Sequence, residues 1–206
     1  MEVLVFLALA FGGYILKTQQ QKKRIALLGK HLARFEIETL MEGLISGYLR
    51  ALGEERPERQ AQVWAHLSAQ EDKLNLQFTQ LAQEFGEVWA DDALVSTLPL
   101  ALPWAHKLFP AATFDARQAL QIHAQGIARV CASPLASPLA APGDAKARAF
   151  TLTAELMLMQ HTCHWFCRSF AVASARVLAQ HQTHFPQVLA AVSPETRAAY
   201  QKLTGR

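Results

Sequence analysis

Between Trp64 and Val88 the apolar residues Trp64, Leu67, Leu74, Phe78, Leu81, Phe85 and Val88 recur at alternating steps of three and four, with Glu71 the single break. Only a helix puts such positions on one side, so this seam commits residues 58 to 89 to one long amphipathic helix. Nowhere else does the chain show a sustained two-residue alternation rich in Val, Ile and Thr, the pattern that half-buried strands need. The expectation is therefore an all-α fold, and within it the seam has two uses. It is one arm of an intramolecular helical bundle, or a contact for a protein partner or a second copy along 64–88. Phe78 and Phe85 are bulky for a two-stranded coiled coil, which favours the bundle.

A second constraint lies at the N-terminus. The chain opens MEVLVFLALAFGGYILK, with no charge from Val3 to Leu16. Lys17, Lys22, Lys23, Arg24, Lys30 and Arg34 follow before the next acid, Glu36. A secretory leader carries its basic residues ahead of the apolar run, and here only Met1 and Glu2 precede it. The order predicts a membrane anchor over residues 1–21, with its N-terminus outside, the bulk of the chain cytoplasmic, and lipid contact through residues 1–34. The run is short: fourteen residues cover roughly 21 Å against a hydrocarbon core of ~30 Å. A snorkelling Lys17 extends it. The basic flank has no interleaved aromatics and no recognisable binding module, so nucleic acid is not an expected partner.

The remaining segments read as helices and connections. Apolar positions occupy one face at Ile25, Leu28, Leu32 and Phe35, then the opposite face from Ile37 to Leu52. A helix there changes partner or breaks near Glu36. Pro99, Pro103 and Pro110 exclude a long helix in DDALVSTLPLALPWAHKLFPAATF. That segment reads as short turns covering one end, or as a Leu-Pro-Trp stretch dipping into a membrane interface. Thr113 or Asp115 caps a helix to about Ala132. SPLASPLAAPGD, residues 133–144, reads as a linker. It separates a first helical part, 22–132, from a second, 145–206, in which a long central helix runs from about Asp144 to His184. Ser193 and Pro194 start the last helix. The sum is an N-terminal membrane anchor helix followed by a cytoplasmic helical bundle of four to five helices.

Two of the three cysteines sit in HTCHWFC, residues 161–167. On a helix Cys163 and Cys167 lie 40° apart, with His164 a further 60° round. Those three residues are the candidate metal ligands, and zinc needs further donors from Cys131, His123, His181 or His184. A non-covalent haem would use a histidine pair with Met157 or Met159. The competing reading is packing, since free cysteine is among the most buried residue types, and on it no cofactor is expected. An odd cysteine count without framework spacing argues against a disulfide-stapled domain. Glu155, alone among apolar neighbours, invites a raised pKa or an ion pair with Arg148 or Arg176. Asp91-Asp92 reads as a helix-start cap, and His66 and His106 as ordinary residues. There is no phosphate loop, nucleophile elbow or metalloprotease helix. The expected role is a non-enzymatic, membrane-anchored interaction or scaffold protein, with a metal- or haem-binding helical sensor or redox protein as the alternative.

Overall fold

The computed structural model describes residues 1–99, 101–132 and 142–206. Ten α-helices lie among them, in place of the expected anchor helix and four or five more. They are α1 (Glu2–Leu32), α2 (Ile37–Gly53), α3 (Pro57–Gly86), α4 (Ala90–Ala93), α5 (Ala105–Leu108), α6 (Ala116–Cys131), α7 (Pro142–Cys167), α8 (Phe170–His181), α9 (Phe185–Ala191) and α10 (Pro194–Thr204). The all-α class holds, but a simple bundle after one N-terminal span does not. Short helices turn the chain at sites where the sequence suggests continuity.

The largest such correction is the central helix expected from Asp144 to His184. It stops at Cys167, because Ser169 takes an extended conformation and its hydroxyl accepts the N–H of Val172, starting α8 afresh. Gln182 then ends α8 in the left-handed region, and α9 begins after His184 with Pro186 in its first turn. Between α1 and α2 the chain breaks at the point where the apolar face changes sides. The Glu36 backbone N–H is held there by Gln77 Oε1 at 2.8 Å. The Pro-rich stretch contains α4, α5, a 3-10 turn at Pro110–Ala112 and a small antiparallel pair, β1 (Leu94–Ser96) with β2 (Thr113–Asp115). Val95 sits opposite Phe114 in that pair, and both are buried. Of the expected linker, residues 133–141 lie outside the described residues, and 142–144 form the start of α7.

α3 is the structural axis. It runs antiparallel to α2, with Pro57 in its first turn, and packs on its other side against α6. Leu67, Leu74, Phe78, Leu81 and Phe85 are all buried there. α2 and α6 cover this seam, and Phe85 also meets Phe166 of α7, edge to face at 5.6 Å. α6 also supports α7 and α10, and α7 in turn carries α8 and α9. α7 is touched on most sides, which is why its apolar residues show no single face. A second, smaller core joins Leu158 of α7 to Val177, Val188 and Tyr200 of the C-terminal helices.

Candidate functional site

The HTCHWFC stretch forms the last two turns of α7, and its side chains go different ways. The His161 ring is buried among Phe185, Phe170 and Trp165, with Nε2 3.0 Å from Ser174 Oγ. Thr162 donates to the Leu158 carbonyl at 3.0 Å and lies 2.8 Å from His123 Nε2. Trp165 donates to the Ser96 carbonyl, fastening α7 to β1. Cys163 sits with its sulfur 3.9 Å from Met159 Sδ. His164 turns toward Arg176, whose Nη1 is 3.4 Å from Nδ1. Burial pushes the Cys163 thiol up to about 12. It raises Cys167 to about 11 against the opposing pull of Arg24, Arg168 and Arg176. Both are neutral thiols at physiological pH, and so not activated nucleophiles.

The further donors are engaged elsewhere. Cys131 lies beside the Glu71 carbonyl, His123 faces Thr162, and His181 is 2.8 Å from Gln160 Oε1. His184 stands at the start of α9, where its backbone N–H is held by Gln187. Among the described residues no group of three or more His, Cys, Asp or Glu side chains is placed to hold a metal ion. Met157 and Met159 pack in the two separate cores.

Cys163 and His164 instead line one side of a surface groove of about 810 Å³ between α2, α7 and α8. Ile37, Met41, Ile45, Leu49 and Met159 give it an apolar lining, and Glu38, Glu42, Arg176 and His181 add charge and polarity. A volume of this size lies in the range of small-molecule and peptide sites. Leu49 stands exposed at its edge.

Two buried polar groupings escape sequence reasoning. Glu71, the break in the apolar seam, pairs with Arg148 of α7 and accepts the Tyr48 hydroxyl. All three are buried. Glu155 meets neither Arg148 nor Arg176; it accepts the backbone N–H and the hydroxyl of Ser193, at 3.0 and 2.7 Å, and so ties α7 to the start of α10. Burial raises its pKa although those hydrogen bonds oppose the shift. Arg148 Nε and Glu155 Oε2 remain without a hydrogen-bond partner among the described residues, and neither cluster lines the groove described above.

The most exposed apolar surface belongs to α1. Residues 1 to 11 are all exposed, Val3, Leu4, Phe6 and Leu9 among them. α1 is the one helix among the described residues long and apolar enough to cross a membrane, and its apolar window is not buried by the rest of the chain. Its second half is docked. Leu28 is buried, Arg24 donates to the carbonyls of Phe166 and Leu94, and Gln21 accepts from Arg168 at 2.9 Å. Lys22, Lys23 and Lys30 stay exposed around it. Comparison with protein-family models, with curated proteins and with solved structures finds no match to this chain.

Proposed function

We propose that the chain is a non-enzymatic, membrane-anchored protein that holds a folded helical body at the membrane surface for interaction with a protein partner. The observation that carries this reading is the division of α1 into an uncovered apolar half and a docked half with lysines at its exposed side. A water-exposed face of Val, Leu and Phe is unfavourable by ~25 cal/mol per Å², and a bilayer removes that cost. The lysine-rich flank supports a body on the cytoplasmic side, an N-terminus outside and lipid contact through residues 1–34. The seam along 64–88 is covered within the chain, so the partner's surface falls elsewhere on the body. The α2–α7–α8 groove, apolar and open, supports that role.

The test is alkaline extraction and vesicle flotation of the full chain beside a deletion of residues 2–16. The full chain is expected to resist extraction and to float, and the deletion to remain folded by circular dichroism but stay with the soluble fraction. A deletion that still floats as well as the full chain would refute the anchor.

A further inference from the structure

We propose that residues 102–109 form a second membrane-contacting element, a wedge seated in the interfacial region of an anionic bilayer beside α1. The inference rests on α1 crossing that bilayer. Leu102, Trp104, Leu108 and Phe109 are each between 46 and 65% exposed, although all four belong to one short segment. The segment itself is fixed. Ala105 is buried, the Trp104 backbone N–H donates to Gln20 Oε1 at 3.1 Å, and Gln20 Nε2 lies 3.4 Å from His106 Nδ1. Trp104 sits in the left-handed region at φ 51°, a conformation that costs a bulky residue about 1–2 kcal/mol. That strain is held in a segment whose large apolar side chains the body leaves uncovered.

The level of this segment along α1 identifies what covers it. Trp104 shares a cleft with Leu16, the last residue of the apolar run, and with Gln20. Counted from Val3 at ~1.5 Å per residue, a ~30 Å hydrocarbon layer extends to about the level of Lys23. Gln20 and the Trp104 backbone bonded to it therefore lie at the boundary between acyl chains and headgroups. Tryptophan is enriched at that depth because its ring is apolar and its N–H can be hydrated. The charge agrees. Lys17 and Lys23 of α1 and Lys107 of the segment line the clefts at this level, together with Asp91 and Asp92. A lysine near an anionic surface contributes about 1 kcal/mol. The wedge also offsets the short apolar run, by adding apolar contact on one side at the depth where the anchor's own side chains turn polar.

The experiment uses the full chain in vesicles of phosphatidylcholine with roughly a quarter phosphatidylglycerol, part of the phosphatidylcholine carrying bromine on its acyl chains near the headgroup. Tryptophan emission is measured for the wild type, Trp104→Phe and Trp89→Phe, after flotation has established how much of each is vesicle-bound. The brominated lipid is expected to quench the wild type, Trp104→Phe to lose more than half of the quenched signal, and Trp89→Phe to keep most of it. All three are expected to float. Unchanged quenching in a floating Trp104→Phe overturns the wedge while leaving the anchor intact, and assigns the patch to a protein partner instead. Failure of the wild type to float overturns both.

Discussion

At the scale of single residues, the buried histidines set how this protein responds to acid. Burial lowers His123 and His161 from 6.5 to about 3, and each also feels a neighbouring histidine. His123 Nε2 lies 2.8 Å from the Thr162 hydroxyl, and its buried Nδ1 has no hydrogen-bond partner among the described residues. In the unfolded chain both rings take a proton below about pH 6.5, while the folded protein keeps them neutral until about pH 3. Between those values the unfolded state binds more protons. Stability is therefore complete above about pH 6.5 and falls as the pH drops, by about 1.4 kcal/mol per pH unit per histidine. Glu155, raised by burial, acts in the opposite sense as the pH rises through its own folded value. The informative measurement is thus denaturant midpoint against pH for the wild type and for His123→Gln/His161→Gln. The double variant is expected to lose most of the slope between pH 6 and pH 4. An equal slope in both would mean that the rings are protonated in the folded state.

At the scale of elements, what the sequence made legible depended on how far apart the cooperating residues lie. The α3 seam, the Asp115 cap and the Ser193-Pro194 start are local signals, and each stands where its residues predict. The break at Ser169 is local too, but one serine within an apolar run reads equally well as part of a continuing helix. Glu71 looked like a flaw in the seam because its partner, Arg148, is 77 residues away. The spread of HTCHWFC was hidden for a related reason: angles around α7 show which residues share a face, and not which neighbours cover it. Gly126 of α6 illustrates the point and gives a prediction. A Cβ there would come within 2.4 Å of Thr196 Oγ1 and 2.6 Å of Glu155 Oε2, so α6 approaches the α7–α10 junction only because the side chain is absent. Gly126→Ala is expected to cost about 1–3 kcal/mol through overpacking, against the usual preference for alanine in helices. Gly29→Ala, where a Cβ meets nothing within 4 Å, is expected to be neutral or to gain up to about 1 kcal/mol. Thermal denaturation of the pair decides it, and a Gly126→Ala as stable as Gly29→Ala would remove the close approach.

At the scale of the whole molecule, α1 has an uncovered half and a docked half, and the boundary between them can be located by truncation. Residues 2 to 11 are exposed, and the Cβ positions at Gly12 and Gly13 meet nothing within 4 Å. From Gln20 onward the same helix is part of the folded body, through Gln20 to Trp104, Gln21 to Arg168, Arg24 to two carbonyls, and Leu28 in the core. His31 adds an edge-to-face contact with Phe85. Removing residues 2–16 should leave the body as stable as its remaining contacts allow. Removing residues 2–31 takes Leu28 out of the core and exposes the Phe85 and Phe166 surfaces, a loss of at least ~2–5 kcal/mol by the cost of one leucine alone. Urea denaturation of the two truncated chains, compared with each other in one buffer, is expected to show that gap as a lower midpoint for the shorter chain. Equal midpoints would mean that the second half of α1 contributes nothing to the body. The anchor would then be a flexible tether, whereas a clear gap makes α1 one continuous lever that fixes the face of the body turned toward the bilayer. Only in the second case can residues 102–109 be held at a constant depth beside it.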